Sequence, residues 1–275
     1  MKINKFQIIR KIAVINVLRI IAIKYFGLVS KSSHIAYNET VFPDLDVDEE
    51  LREIKKKGYA VGISLSKEQL KEVLAFCKEN ETCIDRDRSD RRQISMVDES
   101  QPEKGTVFSY TNTYKKCEAI RKIAHDPKVL EIAEKYLGCS PKFLGSQIWW
   151  SYPHLDDAGN KSQTPLYGYH YDIDDLKFLK IFFYLNDVDE DRGPHVIIGN
   201  THKKKNYFEI KNRRLSNSVA IEKYGNQIEV IEGKAGEGFF EDTFCYHKGT
   251  HPNKRRLLLQ FEFAINDFGH QNDDN

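Results

Sequence analysis

The chain has 275 residues, of which 40% are hydrophobic and 30% charged, a balance typical of a globular protein with a substantial core. Its formal net charge of +1 gives no overall electrostatic attraction for nucleic acid, so we expect no nucleic-acid partner. The cysteines are scattered and form no Cys-x-x-Cys pair, so they indicate neither a zinc knuckle nor a disulfide framework. This pattern favours a cytoplasmic location, and membrane association is the alternative that we keep open.

Residues 1–38 form a basic and apolar N-terminal segment that contains no acidic residue. Arg19 and Lys24 interrupt its apolar runs, so no uncharged stretch is long enough to cross a membrane. The basic residues spread around the helical wheel and do not define one polar face. We expect a helix that packs on the domain or on a partner. The alternative is peripheral membrane contact through residues 3–29.

Helical patterns follow the N-terminal segment. The first of them has acids in its first turn, bases in its last turn and Gly58 as a stop. Ser66 and Gln69 form a capping box at the start of the next, and Asp126 caps the last. Between them, the charged residues 80–105 are predicted to form a loop. The helices are predicted at 47–57, 66–80, 113–124 and 127–137.

From Pro141 onward the sequence consists of short aromatic and β-branched segments separated by turn residues. This pattern is typical of an antiparallel sandwich or barrel. We therefore predict an α+β fold, a double-stranded β-helix (jelly roll) barrel buttressed by the N-terminal helices. Residues 39–275 would form this single domain, with a basic insert near 201–225.

One polar motif, "HYDIDD", begins at His170 within a segment that otherwise resembles a buried strand. His170 and Asp172 are two residues apart and so share a strand face, and His247 is a second histidine in a strand-like context. Two histidines and a carboxylate suit Fe(II) and oxygen chemistry, although a zinc hydrolase can use the same ligands. Arg255 or Arg256 could hold a carboxylate bidentately, which favours a chelating keto acid such as 2-oxoglutarate.

Over roughly residues 50–265 the chain resembles the phytanoyl-CoA dioxygenase family of Fe(II)/2-oxoglutarate-dependent oxygenases. The segments that carry the resemblance are "HYDIDD", "LKIFFYLNDVDEDRGPHVIIGNTHK" and "GEGFFEDTFCYHKGTHPNKRRLLLQFEF". The second segment differs from the family near its end, at residues 198–202, where other residues stand in place of the usual Pro and Ser. This departure leaves the proposed metal ligands untouched.

The resemblance implies a dioxygenase that hydroxylates a small organic substrate and converts 2-oxoglutarate and O2 to succinate and CO2. It also implies that His170, Asp172 and His247 bind Fe(II), with no catalytic residue beyond the metal centre. Arg256 would bind the distal carboxylate of 2-oxoglutarate, with Arg255 as the alternative. Halogenating relatives lack the carboxylate ligand, so the presence of Asp172 favours hydroxylation.

Further candidate residues lie close to these motifs. Lys180 and Tyr184 share one face of a predicted strand, and either could assist the cosubstrate. Trp149 and Trp150 point to opposite faces of another strand, so one of them could line the substrate pocket. Cys245, two residues before the second histidine, is expected to share its face and pack beside the metal.

Two functions of other classes fit the same sequence. A jelly-roll protein that has lost turnover would serve as a metal- or sugar-binding module. A membrane-associated scaffold would be organised by the N-terminal segment. Succinate production separates the enzyme from the binding module, and deletion of residues 1–35 tests the scaffold.

Overall fold

A computed structural model describes residues 5–29, 38–100, 107–153 and 168–269. The helices are α1 (Lys5–Ala13), α2 (Asn16–Val29), α3 (Val47–Lys57), α4 (Lys67–Glu79), α5 (Thr113–Lys116), α6 (Glu118–Ala124), α7 (Pro127–Leu137), α8 (Tyr207–Lys211) and α9 (Asn217–Tyr224). The strands are β1 (Tyr59–Ser64), β2 (Thr82–Ile84), β3 (Asp87–Arg92), β4 (Val107–Tyr110), β5 (Lys142–Ser151), β6 (Tyr169–His170), β7 (Phe178–Tyr184), β8 (His195–Ile198), β9 (Arg214–Leu215), β10 (Ile228–Ile231), β11 (Glu237–Glu241), β12 (Tyr246–Gly249) and β13 (Arg256–Ala264).

These strands form two antiparallel sheets. The larger has the order β1-β11-β7-β13-β5-β4-β2-β3, and the smaller has the order β10-β8-β12-β6-β9. Phe182 and Phe239 of the larger sheet pack with Ile197 of the smaller in one buried cluster. The sheets therefore face each other across an apolar interior, as expected for a barrel whose inward side chains alternate with outward ones.

Local capping sets the ends of the buttressing helices. The Asp46 side chain accepts hydrogen bonds from two backbone N–H groups at the start of α3, and Gly58 ends that helix with φ 92°. Ser66 and Gln69 form the predicted capping box at the start of α4. Asp126 caps α7 in the same way as Asp46 caps α3. These helix ends agree with the sequence pattern.

Two segments differ from the sequence prediction. The single helix expected at 113–124 is divided into α5 and α6, because Cys117 adopts an extended conformation between them. The loop expected at 80–105 instead contains a hairpin, in which β2 pairs with both β3 and β4. Buried Thr82, Cys83 and Ile84 anchor this hairpin, whereas charged β3 forms the outer edge of the sheet, where a polar strand resists further pairing. Residues 101–106 lie outside the described part of the chain.

The N-terminal helices α1 and α2 pack on the body of the protein. Ala13 is buried in the main core, and Ile12 and Phe26 are partly buried against it. At Gly27 a Cβ atom would lie 2.7 Å from the carbonyl oxygen of Gly138, so α2 approaches the end of α7 closely. Among the described residues no helix is both long and apolar enough to cross a membrane.

Candidate metal centre

A cavity of about 310 Å³ opens between the two sheets. Its main wall consists of alternate residues of three neighbouring strands, because side chains two apart on a strand share a face. The volume lies at the small end of the range for small-molecule sites, about 300–1,000 Å³. The residues contributed by β5, β7 and β13 are Gln147, Trp149, Ser151, Lys180, Phe182, Arg256, Leu258, Gln260 and Glu262.

The three residues predicted to bind a metal meet at this cavity. His247 of β12 is the direct strand partner of His170 of β6, and their rings are 4.5 Å apart between centroids. The backbone N–H of Asp172 donates to the Thr243 carbonyl, which fixes the residue beside β12. Each of the three side chains offers one ligand atom, and these atoms lie within 4.8 Å of one another. The arrangement could hold one metal ion.

Backbone carbonyls orient both imidazole rings. His170 Nδ1 lies 2.9 Å from the Gly168 oxygen, and His247 Nδ1 lies 3.1 Å from the Cys245 oxygen. Since a carbonyl only accepts, each Nδ1 carries a proton, and Nε2 is the ring nitrogen that each histidine can offer to a metal. Burial lowers the pKa of His247 to about 4, which keeps that ring neutral at physiological pH. Both rings thus have the tautomer that a metal ligand needs.

Lys180 holds the carboxylate of Asp172 in place. Its Nζ is 2.9 Å from Asp172 Oδ2 and 2.9 Å from Asp174 Oδ2. Burial is the largest single influence and would raise the pKa of Asp172, but the charge and hydrogen bond of Lys180, together with the two neighbouring histidines, outweigh burial and lower it. The same carboxylates raise the pKa of Lys180 well above its usual range in spite of burial. Asp172 is therefore ionised and oriented before any cation arrives.

Two buried glutamates also border the centre, and the sequence analysis did not identify them. Burial raises the pKa of Glu241 to about 7 and that of Glu262 well above its usual range. Glu241 Oε2 is 2.7 Å from His195 Nε2, although not in hydrogen-bond geometry. Glu262 Oε2 is 3.8 Å from the Lys180 ammonium. The signal was an acid beside aromatic residues in each strand: Glu241 after two phenylalanines in "GEGFFED", and Glu262 between two phenylalanines in "LLLQFEF".

The two candidate arginines point in different directions. Arg256 is buried and lines the cavity, and its guanidinium donates to the Gly193 carbonyl. Arg255 turns away from the cavity and donates to the carbonyl of Ser95 at 2.5 Å and to that of Met96 at 2.8 Å. Its guanidinium also lies 4.3 Å above the Trp150 ring. Arg256 is therefore the one of the pair that can reach a ligand in the cavity.

The remaining candidates divide in a similar way. Trp149 lines the cavity, whereas Trp150 is buried in the core and donates to the Tyr110 hydroxyl. Lys180 lines the cavity, but the Tyr184 hydroxyl donates to the Ile231 carbonyl outside it.

The expectation for Cys245 is wrong. Its Sγ lies 3.6 Å from His202 Nδ1 and close to the Lys57 carbonyl, and Cys245 is not among the residues that line the cavity. Strand β12 begins one residue later, at Tyr246, so the two-residue alternation does not extend back to Cys245. The Cys245 carbonyl, and not its thiol, contributes to the centre, because it orients His247.

Comparison with known proteins gives structural neighbours only: no protein-family model and no curated protein matches the chain. The epimerase SnoN, in complex with Fe3+, alpha ketoglutarate and nogalamycin RO, has a TM-score of 0.54 and 13% identity, over 79% of this chain and 83% of its own. HygX from Streptomyces hygroscopicus, with nickel, 2-oxoglutarate and hygromycin B bound, has a TM-score of 0.51 and 13% identity, over 78% and 86%. SnoK, a non-heme alpha ketoglutarate dependent carbocyclase from nogalamycin biosynthesis, has a TM-score of 0.51 and 17% identity, over 82% and 87%.

These neighbours confirm the predicted fold. At 13–17% identity they show that the chain shares the α+β jelly-roll architecture of proteins that bind iron or nickel together with 2-oxoglutarate. The narrower resemblance to the phytanoyl-CoA dioxygenase family is not confirmed, because no family model matches.

Proposed function

We propose that the protein is an Fe(II)/2-oxoglutarate-dependent oxygenase whose iron ligands are His170, Asp172 and His247. The observation that carries the proposal is the convergence of their three ligand atoms within 4.8 Å at the wall of a cavity. Iron bound by two histidines and one carboxylate supplies adjacent open positions for a keto acid and O2. The fold shared with SnoN and HygX supports the same conclusion.

Arg256 binds the distal carboxylate of 2-oxoglutarate in this proposal. It is buried, it lines the same cavity as the three ligands, and a guanidinium can hold a carboxylate through two parallel hydrogen bonds. His195 lies between Arg256 and the centre, with its ring 5.5 Å from that of His247. Burial and the charge of Arg256 lower the pKa of His195 to about 3, so it adds no competing positive charge.

The other residues of the cavity orient groups and exclude water. Lys180 fixes the carboxylate of Asp172, as its two short ion pairs indicate. Phe182 and Leu258 give the wall an apolar section between the centre and Arg256. Such a section limits access of water to the bound keto acid.

The substrate is a small organic molecule with several polar groups, and the reaction is hydroxylation at one of its C–H bonds. Gln147 and Gln260 face the cavity as direct strand partners, and Ser151 lies four strand pairs away on the same face. Arg86, at the tip of the β2–β3 hairpin, lines the mouth. These donors and acceptors suit hydroxyl or carboxylate groups. The Asp172 carboxylate favours hydroxylation over halogenation, as in the phytanoyl-CoA dioxygenase family.

Succinate formation from 2-oxoglutarate, with Fe(II) and ascorbate under air, tests the proposal. We expect turnover by the wild type, enhanced by a correct substrate, and none above background for Asp172→Ala. Asp174→Asn is the matched control, because Asp174 contacts the same lysine but is not in the ligand set. If the wild type binds metal but forms no succinate with or without candidate substrates, the protein is a metal-binding module and not an oxygenase.

A further inference from the structure

Helix α2 buries one charged side chain, that of Arg19, and exposes several large apolar side chains. Arg19 is 6% exposed, and its Nε and Nη1 donate to the carbonyls of Leu176 at 2.7 Å and His202 at 3.0 Å. Its guanidinium lies 4.0 Å above the Phe244 ring. A surface helix whose outer side contacts only water shows the opposite arrangement, with charged residues outside and apolar residues towards the core.

The outward side of α2 carries five large apolar residues, each at least 45% exposed. At about 100° per residue they occupy an arc of roughly 160°, in which Lys24 also lies. Contiguous exposed apolar surface of this kind marks an interaction site. The residues of this α2 stripe are Val17, Leu18, Ile20, Ile21 and Tyr25.

A basic groove of about 590 Å³ runs beside the stripe, between α2 and the body. Asp242 is the one carboxylate among the described residues that line it, and it already lies 3.9 Å from Arg19 and accepts from the Tyr136 hydroxyl. The groove therefore presents a net positive charge next to the apolar stripe. The lysines of this lysine groove are Lys55, Lys177, Lys203 and Lys204.

We propose that the α2 stripe and the lysine groove dock the protein on the surface of an anionic phospholipid membrane. The stripe would enter the boundary between headgroups and acyl chains, and the lysines would bind lipid phosphates. A second copy of the chain fits this surface less well, because pairing would bring two lysine grooves together. With 14 residues, α2 is shorter than the roughly 20 residues that cross a bilayer, so it lies on the membrane. The proposal is independent of the proposed oxygenase activity.

Vesicle co-sedimentation of the full chain tests the proposal. We expect binding to vesicles of equal parts phosphatidylglycerol and phosphatidylcholine, weakening as salt is added, and none to phosphatidylcholine alone. The double variant Val17→Ser, Ile21→Ser should lose at least about tenfold in vesicle affinity. Lys203→Gln with Lys204→Gln should lose a similar factor, since each lysine near an anionic surface contributes roughly fivefold.

Matched controls exist on other faces of the chain. Val61 and Val230 are also more than half exposed, and Lys67 and Lys71 are exposed on α4. Serine at both valines and glutamine at both lysines should leave vesicle binding unchanged. All of the altered side chains are exposed, so the variants should keep the unfolding midpoint of the wild type.

Three results would overturn the proposal. In the first, the stripe and groove variants bind vesicles as well as the wild type. In the second, the wild type forms a dimer in the absence of lipid that the stripe variant breaks, which would assign the stripe to a second copy. In the third, the wild type does not bind anionic vesicles but binds inorganic phosphate at the lysine groove, which would mean that the lysines bind a free anion.

Discussion

Replacing each of the two adjacent arginines by methionine should separate folding from cosubstrate binding. Arg255 donates to the carbonyls of Ser95 and Met96 and to the Tyr152 hydroxyl, and it is not among the residues that line the cavity of the candidate metal centre. Arg256 lines the cavity that contains the candidate metal ligands. The Arg255→Met and Arg256→Met variants are therefore matched in chemistry and position but opposite in expected effect.

The structure sets the size of each effect. Hydrogen bonds from a charged donor contribute about 1.5–3 kcal/mol each, and methionine recovers only part of the packing, so Arg255→Met should lower the free energy of unfolding by about 3–5 kcal/mol. Arg256→Met removes a bidentate guanidinium–carboxylate contact, which should weaken the binding of 2-oxoglutarate by about 3 kcal/mol and so raise its Kd roughly 150-fold. Arg256 also donates to the Gly193 carbonyl, so Arg256→Met carries a stability cost of its own beside the loss of binding.

Urea denaturation and the concentration dependence of succinate formation on 2-oxoglutarate measure the two effects. We expect Arg255→Met to shift the urea midpoint and to keep the KM for 2-oxoglutarate. Arg256→Met should raise that KM. The assignment of Arg256 is refuted if Arg255→Met weakens 2-oxoglutarate more than Arg256→Met does under conditions where both are folded.

Three further perturbations follow from buried charges. Arg19→Met should lower the free energy of unfolding, measured by urea denaturation, by about 3 kcal/mol, because it leaves two buried carbonyls without a hydrogen-bond donor. Lys24 is exposed on the same helix, so Lys24→Met should change the free energy of unfolding by less than about 0.5 kcal/mol. Burial, with neighbouring carboxylates, raises the pKa of Glu50 from 4.5 to about 7, so its contribution to stability is lost as pH rises through that window. After a discount for partial solvation, Glu50→Gln should exceed wild-type stability by about 1 kcal/mol near pH 8 and match it near pH 4; equal midpoints at both pH values would contradict this. Fe(II) added without oxygen at about 100 times its Kd should stabilise the wild type by roughly 2.7 kcal/mol in thermal melts, and chelation should reverse the gain. Asp172→Ala should show no such gain, and an equal gain would remove Asp172 from the ligand set.

Local chemistry made the helices and the ligand motif predictable. Asp46, Ser66 and Asp126 cap helices through side-chain hydrogen bonds that reach no further than three residues along the chain. Strand alternation likewise predicted that His170 and Asp172 share one face, and their ligand atoms do meet, although β6 ends at His170 and the backbone of Asp172 is held by Thr243. His247 was a candidate because of its strand-like context, and the resemblance then implied that it is the third ligand, since neither local pattern relates it to His170.

Register between distant strands could not be predicted. The alternation of β13 shows that Arg255 and Arg256 diverge, but only pairing with β5 and β7 determines which of them faces inward. The same pairing places Glu241, Lys180 and Glu262 abreast on three neighbouring strands. These residues are separated by 20 to 80 positions in the sequence, so the charge network around Asp172 is a property of the folded sheet alone.

Anaerobic titration of Fe(II) and 2-oxoglutarate, followed by visible absorption, tests the central claim most directly. A keto acid that chelates Fe(II) through its carboxylate and keto oxygens gives a weak charge-transfer band. The account predicts this band for the wild type and for Arg255→Met, a weakened band for Arg256→Met and none for Asp172→Ala. A wild type that binds Fe(II) at His170, Asp172 and His247 and still gives no band with saturating 2-oxoglutarate would contradict it.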